Sequence, residues 1–294
     1  MKAVKEKAYA KINLYLECLG LRDDGFHDIC TVMHAVDLFD TVTVTLLSKE
    51  RFGIRLNIDG NKRLPTDSRN LVYRAAELFM KRLAITADIS IKLEKEIPVS
   101  AGLAGGSTDA AATLRALNRL FDKPLTDKAL LALAAELGSD VPFCLVGGTA
   151  LCEGRGERIT RLSAIPTLHT VIAVGDEYVS TPVAYGALDS LYSSFDGSVK
   201  TGGAGALLAL TDYLTGGEAP TGELYNIFEG AVLPTCPLAR EIKSHLLSLG
   251  ASYAMMSGSG PSIFGIFETK DLAKEARDEL IRLGFKAHLA SSVK

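Results

Sequence analysis

Residues 98–110 read PVSAGLAGGSTDA and stand between an apolar run, Ile89–Leu93, and a stretch carrying Ala110, Leu114 and Leu117 at helical spacing. The order is strand, glycine-rich turn, helix, with Ser107 expected as the capping residue where the helix starts. Gly102, Gly105 and Gly106 permit positive φ and carry no Cβ, so several backbone N–H groups can converge on one point. That point lies at a helix N-terminus, where the dipole and the unpaired donors favour an anion. The same stretch also reads as a flexible strand-to-helix turn capped by Ser107. It lacks the lysine of G-x-x-x-x-G-K-[ST] and does not match G-x-G-x-x-G, which excludes the usual phosphate-loop ATPase and dinucleotide fingerprints.

Upstream, Ala8–Leu16, Val42–Leu47 and Ile54–Ile58 read as strands, and Asn70–Leu83 as a helix with Leu71, Ala75, Leu78 and Phe79 on one face. Downstream, Thr126–Leu137 starts on a threonine cap and stops at Gly138, and a short strand covers Thr149–Cys152. The second half opens on a strand at Leu168–Val174. A helix around ALLAL is expected within residues 197–222. A helix from Pro237 to Gly250, strands at Ala251–Met256 and Ile263–Phe267, a helix at Lys270–Leu283 and a strand at Phe285–Leu289 complete the order β-α-β-β-α-β. This is the split-βαβ, ferredoxin-like arrangement. The boundary between halves is expected between Gly156 and Leu168, giving domains 1–160 and 161–294.

With 32 Lys and Arg against 35 Asp and Glu, the net charge is −3, which argues against a broad electrostatic grip on nucleic acid. Five scattered cysteines without C-x-x-C spacing fit a reducing compartment and neither a disulfide framework nor a thiolate zinc site. The N-terminus has no apolar signal region, and the longest uncharged stretch, Leu246–Phe267, is broken by Gly, Pro and Ser. A soluble, cytoplasmic protein without nucleic-acid or membrane partners is expected, as a monomer or homodimer.

Three further segments stand out. AKINLYL, residues 10–16, puts Lys11, Asn13 and Tyr15 on one strand face, which by itself reads as the solvated face of an edge strand. GSDVPF, residues 138–143, holds Asp140 before an X-Pro pair that biases Val141 toward extended backbone. MSGSGPS, residues 256–262, reads as a hairpin turn.

Taken together and in this order, these segments resemble the galactokinase–homoserine kinase–mevalonate kinase–phosphomevalonate kinase (GHMP kinase) superfamily, over essentially Ala10–Phe267. Asp24-Gly25-Phe26-His27 narrows the match, because it is similar to the D-G-Y/F-H element of the members that phosphorylate CDP-methylerythritol. The resemblance implies an α+β, two-domain GHMP-kinase fold with an N-terminal half like domain 2 of ribosomal protein S5. It also implies transfer of the ATP γ-phosphoryl group, with Mg²⁺, to the 2-hydroxyl of CDP-methylerythritol, a small-molecule partner.

On that resemblance, Asp140 is the base and Lys11 the charge stabiliser. Loose phosphoryl-transfer transition states need little beyond positioning and charge stabilisation, so one base and one cation suffice. ATP would lie against Pro98, Gly102, Leu103, Ala104, Gly105, Gly106, Ser107 and Thr108, with Asn70 and Lys95 at the adenine. Asn13 would meet the methylerythritol, while Phe26, His27, Thr181 and Tyr185 would hold the cytidine end. The metal ligands are not assigned, and Asp109 is left without a role, since an acid so near a phosphate site would repel it. Asn226-Ile227-Phe228-Glu229 lacks an Asp that relatives carry and is read as structural. Homoserine or mevalonate kinase activity, or a silent nucleotide-binding protein on the same fold, are the alternatives. Retention of both Lys11 and Asp140 speaks against the silent one.

Overall fold

The computed structural model describes residues 2–61, 63–162, 165–194 and 224–293, so the helix expected within 197–222 lies outside the described residues. The chain forms two compact units that interleave in sequence: Met1–Ala10, Phe39–Val99 and Ala104–Gly147 make the first, and Lys11–Leu38, Ser100–Leu103 and Gly148–Lys294 the second. Two long strands, β1 (Ala3–Leu21) and β2 (His27–Ser48), contribute residues to both.

In the first unit, the C-terminal part of β2 runs antiparallel to β4 (Asp88–Glu94), from Thr41 opposite Glu94 to Ser48 opposite Asp88. Strand β3 (Gly53–Asp59) lies parallel to β4. Helix α1 (Leu71–Arg82) forms where Asn70 caps it, its Oδ1 accepting from the Val72 N–H at 2.9 Å. The α1 stripe Val72, Ala75, Ala76, Phe79 and Met80 is buried, and the helix packs against α2 (Gly105–Leu120). Helix α3 (Asp127–Leu137) starts on Thr126, whose hydroxyl accepts from the Ala129 N–H.

Two local expectations are corrected here. Helix α2 opens at Gly105 after a left-handed Ala104 (φ 57°), so Ser107 sits inside the first turn and caps nothing. Val141 is helical rather than extended, since it opens α4 (Val141–Val146). Pro142 falls in that helix's first turn, where a missing N–H costs no intrahelical bond.

In the second unit, the N-terminal part of β2 pairs antiparallel with β5 (Thr149–Gly154), which pairs with β6 (Arg158–Arg161). The second half of β1 pairs in parallel with β8 (Tyr225–Asn226), Tyr15 opposite Tyr225. A separate antiparallel sheet has the order β11 (Lys286–Ser291), β7 (His169–Val174), β10 (Ile263–Phe267), β9 (Tyr253–Met256). This is the ferredoxin-like order, with β7 and β10 central. Helices α7 (Pro237–Ser248) and α8 (Lys270–Arg282) pack on this sheet. Ile242, Leu246 and Leu280 join Val171, Met256 and Ile263 in its core, along with Phe228 of α6 (Phe228–Val232) and Leu188 of α5 (Thr181–Ser194).

His34 is buried in this unit, Nδ1 against the Thr149 hydroxyl at 2.8 Å and Nε2 against the Ser292 hydroxyl at 2.9 Å. Burial lowers its pKa from 6.5 to about 4. A depressed folded pKa gives stability that is fully present above the unfolded value and is lost as pH falls toward the folded one. We therefore expect up to about 3 kcal/mol of stability to disappear between pH 6.5 and 4. Denaturant titrations across that range should show this slope, and His34→Gln should flatten it.

Candidate active site

Lys11, Asn13 and Tyr15 do share a strand face, but that face is buried and β1 is not an edge strand, because β2 and β8 flank it. The polar groups satisfy one another. The Lys11 ammonium donates to Asn13 Oδ1 at 2.6 Å and to the Gly102 carbonyl at 2.8 Å. Asn13 Nδ2 in turn donates to the Thr31 hydroxyl at 2.8 Å, and that hydroxyl donates to the Tyr15 carbonyl. The Lys11 N–H bonds the Leu103 carbonyl at 3.2 Å. A buried lysine held this way presents a fixed positive charge at the glycine turn.

Gly102 meets the β9–β10 turn at close range. Its carbonyl also accepts from the Ser257 hydroxyl at 3.1 Å, and the Ser262 hydroxyl donates to the Ala101 carbonyl. The expected hairpin turn is present and includes a cis Gly260–Pro261 bond. Asn226 braces it, Nδ2 donating to the carbonyls of Met256 at 2.7 Å and Gly258 at 2.8 Å. Glu229 accepts from the Met256 N–H and from Lys243. The Asn226–Glu229 element thus has the structural part expected of it, and the part is specific: it holds the turn that touches Gly102.

Also in the second unit, the His27 ring lies on the Tyr185 ring, centroids 4.6 Å apart and planes 31° apart. Tyr185 is fixed edge-on by Phe228 at 4.8 Å. His27 Nε2 is 2.7 Å from Asp189 Oδ1. Phe26 is exposed, with the Arg155 guanidinium 4.8 Å above its ring, and the Thr181 hydroxyl lies 3.2 Å from that of Ser259. The structure therefore brings His27 and Tyr185 together and adds Asp189 and Phe228, which the sequence reading did not single out for this site.

In the first unit, Gly105, Gly106, Ser107 and Thr108 form the opening turn of α2. Thr108 is buried and its hydroxyl donates to the Tyr9 carbonyl at 2.7 Å, anchoring the helix start to β1. Asn70 spends both ends of its amide locally, as the α1 cap and as donor to the Pro65 carbonyl at 2.9 Å. Pro98, half-buried, lies between β4 and the glycines.

Lys95 is a buried cation between two carboxylates, Asp40 and Asp109, the latter at 2.8 Å. Asp40 further accepts from the N–H groups of Glu96 at 2.6 Å and Ile97 at 2.8 Å. Burial pushes the Asp109 carboxyl well above the ordinary carboxylate range; Lys95 opposes that shift and Asp40 adds to it. For Lys95 burial works downward, but the two carboxylates outweigh it and hold its pKa above the ordinary lysine value. The difficulty of an acid beside an anion site is thereby met, because the Asp109 carboxyl is turned onto Lys95. Asp40 gives no sequence signal, since a lone acid just before the alternating run Val42–Leu47 looks like a solvated residue.

Asp140 is half-buried at the start of α4 with φ −83° and ψ −15°, and its side chain makes no cap bond there. It belongs to the first unit and Lys11 to the second.

The model of the GHMP kinases N terminal domain matches residues 70–148, and that of the GHMP kinases C terminal domain matches residues 215–286. The chain is 41% identical over 274 residues to the 4-diphosphocytidyl-2-C-methyl-D-erythritol kinase of Caldicellulosiruptor saccharolyticus, covering 93% of this chain and 91% of that one. It is 45% identical over 268 residues to the kinase of the same name from Gloeobacter violaceus, covering 90% and 86%. A crystal structure of 4-(cytidine 5'-diphospho)-2C-methyl-D-erythritol kinase superposes with a TM-score of 0.81 at 32% identity, over 99% of this chain and 100% of the other. With both halves of the superfamily pattern matched and the likeness running nearly end to end, the chain belongs to the 4-diphosphocytidyl-2-C-methyl-D-erythritol kinase family of GHMP kinases.

Proposed function

We propose that the chain transfers the γ-phosphoryl group of ATP to the free 2-hydroxyl of CDP-methylerythritol, giving the 2-phosphate and ADP, in the non-mevalonate route to isoprenoid precursors. The observation that carries this reading is Lys11, a buried ammonium bound to a carbonyl of the glycine turn and to Asn13. Such a charge stabilises an anion without reorganising when the reaction occurs. Asp140 takes the proton of the attacking hydroxyl as the oxygen bonds phosphorus and the bond to the leaving ADP oxygen breaks. Asn13 meets the methylerythritol hydroxyls. Phe26, His27, Thr181 and Tyr185 hold the cytidine, stacking supplying affinity and edge bonds the choice of base.

Gly102–Thr108 with Pro98 form the phosphate side, backed by the dipole of α2. Asn70 and Lys95, whose polar side-chain atoms are already engaged, shape the adenine pocket rather than donate to the base. Mg²⁺ neutralises phosphate charge when bound. Among the described residues no group of three or more His, Cys, Asp or Glu is placed to cage a metal. Domains 1–160 and 161–294 remain our division of the chain by sequence. No described helix is long and apolar enough to cross a membrane, and soluble nucleotide substrates accord with a cytoplasmic site of action.

A substrate panel with ATP and Mg²⁺ tests the reading: CDP-methylerythritol, homoserine, mevalonate and galactose. Turnover of the cytidylyl compound alone is expected. Phosphorylation of homoserine or mevalonate without it would replace the assignment, and nucleotide binding without any turnover would leave a silent binder.

A further inference from the structure

We propose that Asp189 is the positioning residue that sets base choice, by fixing the ring of His27 so that it accepts a hydrogen bond from an exocyclic amino group of the base. The inference rests on the reading of His27 as the base-contacting residue. The contact to Asp189 Oδ1 is 2.7 Å from Nε2, and a carboxylate only accepts, so Nε2 carries a hydrogen. In the neutral ring Nδ1 is then the acceptor, and it has no hydrogen-bond partner among the described residues. The ring cannot readily turn over to exchange the two nitrogens. Its face is packed on Tyr185, Tyr185 is locked edge-on by Phe228, and the His27 side chain is only 9% exposed. Phe228 is itself held, its N–H bonded to Asn226 Oδ1 at 3.0 Å.

An acceptor at Nδ1 suits the amino group of cytosine. Uracil carries a carbonyl at the same place, so two lone pairs would face each other and both would go unpaired. Stacking on an aromatic face does not distinguish the two pyrimidines. Discrimination therefore depends on the tautomer, and the tautomer on Asp189. This carboxylate lies on α5, whose next turn toward the N-terminus carries Tyr185, so one helix supplies the stacking partner and the group that orients the stacked histidine.

The test compares kcat/KM for CDP-methylerythritol with that for its uridine counterpart, in the full chain and in Asp189→Ala. The cytidine-to-uridine ratio should fall at least ~10-fold in Asp189→Ala, the scale of one well-placed base contact, while KM for ATP stays as in the parent. Asp189→Asn, whose carbonyl accepts the same N–H, should restore most of the ratio. Nitrogen-15 spectra of labelled histidine should show His27 with its hydrogen on Nε2 in the parent and a mixture of tautomers in Asp189→Ala. An unchanged ratio in Asp189→Ala, or a parent spectrum with the hydrogen on Nδ1, overturns the proposal. Failure of the parent chain to turn over the cytidylyl substrate would instead overturn the function on which it rests.

Discussion

Asp140→Ala lowers kcat by at least ~10²-fold, the scale of a lost general base, while ATP still binds. Phosphoryl transfer leaves the protein little covalent work, so taking the hydroxyl proton is one of the few tasks that a single side chain can own. The carboxylate of Asp140 is not the cap of α4: the side chain makes no cap bond, and the Cys144 N–H bonds the Asp140 backbone carbonyl at 3.1 Å, a bond that truncation of the side chain does not remove. Steady-state turnover with the cytidylyl substrate gives the rate, and a nucleotide titration by fluorescence or calorimetry gives the binding. Near-normal turnover in this variant removes Asp140 from its role. Loss of nucleotide binding in parallel with kcat would assign it to the pocket instead.

Gly102→Ala is the most disruptive single methyl that the glycine-rich segment can receive. Gly102 has φ +75°, and a Cβ there would lie 2.0 Å from the Ser257 carbonyl oxygen, 2.9 Å from its carbon and 3.1 Å from the Gly260 nitrogen. All three are backbone atoms, so no rotamer change relieves the overlap. Left-handed strain adds to it, and together they are expected to cost about 3 kcal/mol or more. The function suffers by a second route. The Gly102 carbonyl anchors the Lys11 ammonium alongside Asn13, so moving the turn moves the charge, and kcat should drop at least ~10-fold beyond any loss of folded protein. Gly106→Ala is the control. It is helical and exposed, with the Leu71 side chain 3.6 Å from the added methyl, an ordinary contact, so its stability should stay within about 1 kcal/mol of the parent. Denaturant midpoints of the two variants measured side by side decide the matter. Equal midpoints would mean that the turn relaxes freely.

Much of the scaffold is legible because its signals are local. Asn70 and Thr126 cap the helices they precede, Pro237 opens α7, and Gly250 and Gly284 follow the helices they end, each with positive φ. The departures from these signals have two sources, a partner far along the chain at β1, Asp40 and Asp189, and the local backbone at Ser107 and Val141. The polar face of β1 looked solvated because alternation reports polarity and not burial; only Thr31 and the Gly102 carbonyl reveal that Lys11 and Asn13 have partners inside. Ser107 was expected to cap α2 because serine there is an ordinary signal, but a left-handed Ala104 lets the helix begin on glycine two residues sooner. The X-Pro rule at Val141 is a bias, and a helix that places Pro142 in its first turn escapes it. Asp40 and Asp189 share one reason for going unseen. Each is a lone acid whose meaning is supplied by Lys95 or His27, 55 and 162 residues away.

The interleaving of the two units has a consequence for how the chain is made. Leu16 and Ile29 belong to the same buried cluster as Leu280, and the His34 ring closes on Ser292, 258 residues further along the chain. During synthesis these strands emerge long before their partners and must wait, apolar side chains bare, until Leu280 and Ser292 have been made. Every segment of the first unit, by contrast, has been made once Gly147 is out. Contacts of such sequence separation slow folding and leave sticky surface exposed in the interval. Fragments begun after β2 would lack Leu16 and Ile29 altogether, and would be expected to depend on chaperones or aggregate where the full chain does not.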